Sequence, residues 1–518
     1  MTKLSAPQPA QLDFVAHFAR RTPDKPAVFD LTQSRGLSYS QLQASIDQAS
    51  AVLTELLGTP AGQRVVVVSR NRAEMLVLHF ACVRCGAIFV PLNWRLAPAE
   101  VAIILADCRP ALIIAEPEFA GHVAGNDQQR IWIDSSPTGL EAKMTAAPAA
   151  LPRFERHPPP DTPITLLYSS GTTGQPKGVI VTLLNAFAGS LNLSLDMHCG
   201  ADSVFLCDMP LFHTAGLFAA ARTPLSVGGT VLISQKFDAP TTYERLCDPQ
   251  LRVTHYFCVT QMAMSMRQLP GFDGRRLARL TALITGGAPN PEAHTRRWLD
   301  DGVTMINAWG MSEICSGTAQ PLGDPQRLRD NPGAIGLPHL MIDMKLVDAE
   351  GQEVGTGSAG EIWVRGWSVT PGYWERPDLD AQAFKDGWFR TGDVAIRDAK
   401  GSYTLVDRIK DMFISGGENV YPAEVEAAIV ELPGISDVAV FGVPHETWGE
   451  TGAALVVIVP GCALDPTVIE AHCKSRLARF KVPRFFKIVE TLPRTASGKI
   501  QKHLLRAAWA EADQRTPA

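Results

Sequence analysis

No run long and apolar enough to span a membrane occurs in this 518-residue chain. The nearest stretch, Met75 to Leu92, is interrupted by His79 and Arg84 and ends beside Pro91. It falls short of the roughly 20 apolar residues a span requires. Met1 to Pro26 has no apolar core of the kind a secretory signal carries. Cysteine is sparse, ten residues scattered along the chain, so a disulfide scaffold is excluded and a reducing cytosol is expected. A basic surplus is also absent. Lys plus Arg is 48 against 53 Asp plus Glu, a net charge of −5, which leaves no bulk field for nucleic acid or acidic lipid. With 46% hydrophobic and 19% charged residues, the chain is not disordered. These absences predict a soluble cytoplasmic protein, monomer or homodimer, with no nucleic-acid partner and no transmembrane segment.

What is present reads as α/β. At about 100–200 residues per domain, the length predicts three or four folding units. Short β-branched runs such as Arg64–Val68, Ala111–Ala115, Ile164–Tyr168, Thr230–Ser234 and Val253–Val259 have the near-continuous apolar character of buried parallel strands. They alternate with helical stretches such as Tyr39–Leu57 and Pro291–Asp301, the pattern of a doubly wound sheet. From about 333 to 406 the strands shorten and turns multiply, as in Asp348-Ala-Glu-Gly351, which predicts an antiparallel β subdomain. Mixed helix and strand return after Asp411. The predicted domains are therefore 1–406, containing that subdomain, a connector at 407–411, and 412–518.

Three motifs fail on context. Gly355-Thr-Gly-Ser-Ala-Gly360 spells a dinucleotide fingerprint but precedes a strand-like run, Glu361–Arg365, instead of a helix. Cys82-Val-Arg-Cys85 lies in an apolar helix with no second pair at zinc-site spacing. Neither Lys177 nor Lys499 sits in a Walker sequence.

One motif holds. Tyr168-Ser-Ser-Gly-Thr-Thr-Gly-Gln-Pro-Lys-Gly178 packs glycines, hydroxyls and a lysine behind the strand Ile164–Tyr168. Glycine lets backbone N–H groups approach a phosphate, hydroxyls donate to its oxygens, and lysine supplies charge. In order downstream come Met209-Pro-Leu-Phe-His-Thr-Ala-Gly216, Gly286-Gly-Ala-Pro289, Asn307-Ala-Trp-Gly-Met-Ser-Glu313, Gly387-Trp-Phe-Arg-Thr-Gly-Asp393, Asp407-Arg-Ile-Lys-Asp411, Ser415-Gly-Gly-Glu-Asn-Val-Tyr-Pro422 and Pro493-Arg-Thr-Ala-Ser-Gly-Lys499. The ordered series resembles the acyl-adenylate-forming superfamily, which includes acyl-CoA synthetases, peptide-synthetase adenylation domains and luciferases.

The resemblance implies a large N-terminal domain of two doubly wound sheets plus a small β subdomain, and a smaller α+β C-terminal lid. It implies two half-reactions: a carboxylate attacks the α-phosphate of ATP to give an acyl-adenylate and pyrophosphate, then CoA takes the acyl group and AMP leaves. An anion must there approach a polyanion, so cations and N–H groups are needed where charge develops. By resemblance Lys499 bridges carboxylate and phosphate. Ser169, Ser170, Gly171, Thr172, Thr173, Gly174 and Lys177 cradle the phosphates, and Glu313 with Thr172 holds Mg2+. Gly286, Gly287 and Ala288 line one side of the adenine, Trp309 stacks on the other, and Asn307 reads its edge. Gly310, Met311 and Ser312 complete that turn, Asp393 and Arg408 handle the ribose, and Lys410 is the hinge. His213 gates the carboxylate site. Arg95, Gly416, Gly417, Trp448 and Phe480 are the expected CoA contacts. Leu183 and Ser312 depart from the family's usual His and Thr, and Val482 stands where some aryl ligases have a CoA-binding Arg.

The expected acyl pocket joins His213, Phe218, Met262, Ala308, Ile314 and Cys315. All but His213 are apolar or weakly polar, which predicts a hydrophobic acid, medium-chain or aromatic. No Lys or Arg lies between Val303 and Gln320 to pair a second carboxylate. Two alternatives stay open on the sequence: an adenylating enzyme that loads a carrier protein, and a catalytically silent nucleotide- or acyl-binding protein.

Overall fold

The computed structural model describes residues 12–125, 128–147, 158–170, 176–287, 290–408, 411–415, 418–446, 448–495 and 499–513. Among these residues the strands form four sheets. The largest runs Leu337–Pro338, Thr318–Ala319, Met305–Trp309, Ala282–Thr285, His255–Cys258, Val204–Cys207, Thr230–Ile233, Pro26–Asp30 and Arg35–Ser38. Its interior pairings are parallel, and only its edges turn antiparallel. The second runs Gln129–Trp132, Leu112–Ala115, Arg64–Val68, Ile88–Leu92, Pro163–Ser170 and Pro176–Thr182, parallel up to a closing hairpin.

The apolar run that falls short of a span has a structural use. It forms the helix Ala73–Cys85 and the strand Ile88–Leu92. Nearly every helix residue is buried, His79 included, because the helix joins the core cluster that also takes in strands of both large sheets. A helix apolar on all faces belongs in such a place. Cys82 and Cys85 are both buried, free thiols. Burial pushes the Cys85 thiol up to about 11.

The third sheet is antiparallel: Ile342–Val347, Ala359–Gly366, Trp388–Arg397 and Phe384–Lys385, with Tyr403–Arg408 also on Trp388–Arg397. The Gly355–Gly360 segment is a turn feeding strand Ala359–Gly366, so no helix N-terminus follows it. The smaller C-terminal domain carries the fourth sheet, built on the long hairpin Ile435–His445 and Gly449–Ile458. Helices Pro422–Val430 and Pro466–Arg476 contribute to its core.

Two details position the cleft. Tyr373 bridges to Val179, and Trp374 N–H donates to Gly178 O at 2.8 Å, so residues 372–374 extend the hairpin as a further pairing. Thr182 ends the hairpin and starts helix Leu183–Asp196 through a reciprocal capping box with Asn185. Thr182→Ala leaves the Asn185 N–H, a buried donor, without its cap partner. It should cost about 1 kcal/mol, read as a lower urea midpoint by circular dichroism.

Candidate active site

The closing hairpin sets the site's first side. Its register places Ser169 opposite Lys177. The turn that carries Gly171, Thr172, Thr173 and Gly174 lies outside the described residues, as does the side chain of Ser170. Ser169 Oγ is buried and has no hydrogen-bond partner among the described residues. Lys177 Nζ donates to Glu313 Oε1 at 2.9 Å and to the Tyr373 hydroxyl at 2.8 Å, and Tyr373 donates to the same Glu313 oxygen at 2.9 Å. Glu313 is 4% exposed. An ammonium and a carboxylate so far out of water hold one another strongly only when their other valences are met. Tyr373 meets one of them. Burial, then the neighbouring Glu313 charge, raises the Tyr373 hydroxyl well above its usual range, so it stays a donor. Tyr373 carried no signal in the motif series. It reaches the site only because residues 372–374 pair with the hairpin.

Asp393 and Arg408, expected as a pair, are register partners on neighbouring antiparallel strands. The Arg408 side chain lies outside the described residues. Asp393 Oδ2 accepts from Trp309 Nε1 at 2.8 Å. Trp309 is 6% exposed and packs in the core cluster of the β subdomain. A Cβ on Gly317 would come within 2.6 Å of its ring. In this structure Trp309 holds the Asp393 carboxylate, and little of its face is open for stacking.

Asn307 does not read a base edge here. Its Nδ2 donates to Pro332 O at 2.9 Å and Ala334 O at 3.1 Å, and its Oδ1 accepts from Thr285 Oγ1 and Asn290 Nδ2, both at 2.9 Å. A carboxamide has two donors and two lone pairs, and all four are used within the fold. Gly286 and Gly287 follow strand Ala282–Thr285, and a Cβ on Gly286 would sit 3.0 Å from Ala308 O. Ala288 is outside the described residues. Gly310 and Met311 lie in the turn before Ser312, whose Oγ bonds Thr214 Oγ1 at 3.2 Å. That contact joins the His213 segment to the Glu313 segment, and sequence reasoning missed Thr214.

Lys499 comes from a tight loop of the C-terminal domain. Thr495 N–H donates to Lys499 O at 2.7 Å, Lys499 N–H donates to Thr495 Oγ1 at 3.1 Å, and Arg494 bridges Ile500. Lys499 lies near His213 in the large domain. Burial first, then the Lys499 and Arg95 charges, lower the His213 imidazole to about 3. His213 Nε2 is buried without a partner among the described residues.

Lys410, Gly416 and Gly417 lie outside the described residues. Flanking them, Asp407 Oδ2 accepts from Ala423 N–H at 2.7 Å, and Lys502 pairs with Glu426 at 2.8 Å. Arg95 stacks over Trp94 at 4.9 Å and lies 5.9 Å from the Phe212 ring. Trp448 and Phe480 belong to the C-terminal domain, the first under Arg484 and the second against the domain core.

The expected acyl wall is only partly assembled. Met262 is buried in the core cluster that also holds Phe257, and Ala308 packs against that cluster partly buried. Ile314 is fully buried in the β-subdomain cluster with Trp309 and Val364, so it does not line an acyl pocket. Cys315, at φ +53°, packs against Gly189 of helix Leu183–Asp196, where a Cβ would approach to 2.8 Å. Phe218 turns toward His79, ring centroids 5.9 Å apart, at the base of the region.

Residues 15–374 match the model of the AMP-binding enzyme family, and residues 424–499 match the AMP-binding enzyme C-terminal domain. The chain is 37% identical to the indoleacetate–CoA ligase of Aromatoleum aromaticum over 91% of its own length and 93% of the relative's. It is 36% identical, with the same coverages, to a feruloyl-CoA synthase of an Amycolatopsis species. Among solved structures, ATP-bound MatB from Rhodopseudomonas palustris superposes with a TM-score of 0.89 at 29% identity, covering 97% of this chain and 100% of that one. The apo form of the same protein superposes at 0.80 with the same coverage.

Tyr373→Phe removes the hydroxyl shared by Lys177 and Glu313. The KM for ATP should rise by about 5- to 10-fold, the loss of one charge-assisted hydrogen bond, with an unchanged circular dichroism spectrum. His213 supplies a pH test. Its folded value lies below the ordinary 6.5, so the neutral form is shared by both states above that pH. Between about 6.5 and 3 the unfolded chain takes a proton that the folded chain refuses. Stability should therefore fall on acidification, and His213→Gln should lose about 1–2 kcal/mol less than wild type between pH 7 and pH 5 in urea melts.

Proposed function

This chain belongs to the AMP-binding enzyme family, and on that premise we propose that its acid is hydrophobic and aromatic, with medium-chain acids the second choice. The reaction class is that of an AMP-forming acyl-CoA synthetase: ATP activates a carboxylic acid, and CoA receives the acyl group. The reading of the acid rests on one observation above the rest. Phe257 and Met262 belong to one apolar core cluster and Ala308 packs against it, and apolar surroundings at these expected acyl positions suit a hydrophobic acid. The aryl-acid names of the indoleacetate and feruloyl relatives agree with it.

The same reading gives each group its work. Lys177, with the hydroxyls of the loop before it, binds the outer phosphates of ATP. Glu313 has a second oxygen not committed to Lys177 or Tyr373 among the described contacts, a hard donor that fits Mg2+. Mg2+ bound there with the phosphates would neutralise charge on the departing pyrophosphate. Asp393, held by Trp309, accepts from the ribose hydroxyls. Lys499 supplies the cation between the attacking carboxylate and the α-phosphate, where negative charge meets negative charge. His213, kept neutral beside two cations, lets an anionic carboxylate approach without forming an ion pair of its own.

We take the present arrangement as the adenylate-forming one. Lys499 lies close enough to depress His213, and the better superposition on the nucleotide-bound MatB supports the same reading. Rotation about Lys410 would then withdraw Lys499 and open the thiol path beside Gly416 and Gly417, bringing Trp448 and Phe480 toward Arg95 for CoA.

The test is AMP and pyrophosphate release with ATP, magnesium and acids from acetate through octanoate and palmitate to benzoate, indoleacetate and cinnamate-type acids, with and without CoA. Aromatic acids should give the highest kcat/KM and a CoA-dependent thioester. Lys499→Ala should cut adenylate formation by about 100-fold or more with folding intact. Octanoate or palmitate turning over faster than every aryl acid would overturn the aromatic assignment. Adenylate without thioester would redirect the acyl group to a carrier protein.

A further inference from the structure

The lid lysine has a second cation three residues behind it, Lys502, whose carboxylate neighbours lie on both sides of the pivot. Lys502 opens the helix Lys502–Asp513, and Arg506 follows one turn later. A cation at the first position of a helix stands against the helix dipole, so contacts outside the helix must hold it there. The first turn carries no acid of its own. Lys502 Nζ pairs with Glu426 at 2.8 Å, and its side chain is only 13% exposed. Burial opposes the ammonium, but the Glu426, Asp407 and Asp411 carboxylates together hold it above its ordinary range. Arg506 reaches Asp411 at 3.3 Å.

Asp407 is the member of this cluster that belongs to the large domain. It sits on strand Tyr403–Arg408, in register with Val394 of strand Trp388–Arg397. Its Oδ2 accepts from Ala423 N–H at 2.7 Å. Ala423 is the second residue of helix Pro422–Val430, and Tyr421 before that helix gives it no side-chain cap. Pro422, at the first position, has no N–H to offer. The cap this helix lacks locally therefore comes from 16 residues upstream, across the pivot at Lys410. Glu426 lies on the same helix. Asp407, Glu426 and Lys502 thus tie the strand end, the helix and the lysine loop to one another.

These positions bracket the two halves of the adenylation site. Arg408, expected at the ribose, directly follows Asp407, and Asp393 is its register partner. Lys499 comes three residues before Lys502, in the loop closed by Lys499 N–H on Thr495 Oγ1 and by Gln501 N–H on Pro493 O at 2.8 Å. Attraction between Asp407 and Lys502 therefore acts between the ribose strand and the lysine loop. Rotation about Lys410 would carry Ala423, Lys502 and Lys499 away together and leave Asp407 behind. Arg506 and Asp411 both lie beyond the pivot and would keep their pairing.

We propose that Asp407 and Lys502 are positioning residues for the first half-reaction: they register Lys499 against the nucleotide, and they part when the lid swings to the thioester step. The proposal rests on the reading that Lys499 serves adenylate formation and that Lys410 is the pivot.

The experiment measures the two halves separately on the full-length enzyme. ATP–pyrophosphate exchange with indoleacetate reads the first, and CoA thioester formation from synthetic indoleacetyl-adenylate reads the second. Octanoate and octanoyl-adenylate are run alongside. Asp407→Ala should slow exchange by about 10-fold through kcat, with KM for ATP within about 2-fold, because a small displacement of a catalytic group carries a cost of that order. The thioester step should be unchanged or faster. Asp407→Asn keeps an acceptor for Ala423 and drops the charge, so it should lose about 3-fold in exchange. Lys502→Met should match Asp407→Ala, and the double variant should be no slower than the slower single one, the mark of a shared interaction. Lys502→Met also strips Glu426 of its partner; where it does not fold, the two Asp407 variants carry the test. Arg506→Met removes a pair on one side of the pivot and should leave the ratio of the two rates at its wild-type value. Equal losses in both halves for Asp407→Ala would overturn the proposal, as a structural role. Unchanged exchange in that variant would overturn it, as would the same shift of the ratio in Arg506→Met. Lys499→Ala separates this proposal from the reading beneath it: if that variant keeps full exchange or loses both halves equally, the reading fails and the proposal with it. Wild-type enzyme that exchanges with neither acid would overturn both.

Discussion

The ion cluster of Lys177, Glu313 and Tyr373 is the constraint on which the rest of the structure depends. Its members come from three places in the chain and from three structural units: the closing hairpin of the six-stranded sheet, the turn after strand Met305–Trp309 of the nine-stranded sheet, and the segment entering the β subdomain. A carboxylate as buried as Glu313 is tolerable only where both partners arrive. Satisfying it fixes how the two large sheets and the subdomain meet, and that meeting is the cleft. The same charges that solve a folding problem are the ones to which the proposed function gives phosphate and Mg2+. Binding and stability therefore draw on one set of valences.

Around that cluster the site is built by separating charges that must act from charges that must stay silent. Burial, with the charges of Lys499 and Arg95 beside it, keeps His213 neutral, so the positive charge of that region rests on the lysine and the arginine. Trp309 holds the Asp393 carboxylate with its indole N–H. Asn307 turns inward and ties the loop after Asn331 to the end of the nine-stranded sheet. Each of these polar groups has its position set by hydrogen bonds or neighbouring charge rather than by packing alone, which gives the cleft a defined shape before any ligand enters. Arg222 is a buried cation whose Nη1 donates to His79 and whose Nε has no partner among the described residues.

Much of the fold was legible in the chain. Parallel strands such as Arg64–Val68 and His255–Cys258 read as continuous β-branched or aromatic runs because both their faces are covered. The antiparallel subdomain was legible from its turns, but its strands were expected to be short, and Ala359–Gly366 and Trp388–Arg397 are longer than the parallel strands of the large sheets. Gly355–Gly360 and Cys82–Cys85 were separable from true cofactor motifs by what flanks them, and the structure puts a strand after the first and a buried helix around the second. The site was legible to the extent that it is made of local strings. Asp393 and Arg408 were paired from their motifs, and the register of their strands places them side by side. Tyr373 was invisible because it lies outside every string, and Thr214, though inside the string Met209–Gly216, was given no role.

By itself the sequence determined the reaction class and the order of its parts. A phosphate loop, a cation on a tight loop and an acid after a strand demand particular residue types at particular spacings, and those survive as strings. Only the tertiary structure decided how the valences were allotted. It committed all four of Asn307's hydrogen bonds inside the fold, closed Trp309 over Asp393, sent Ile314 into the core of the subdomain, and left Arg222 Nε and His79 Nδ1 without a partner among the described residues. The reason is physical: a residue's type states what it can bond, but its neighbours in space determine which of those bonds are already made.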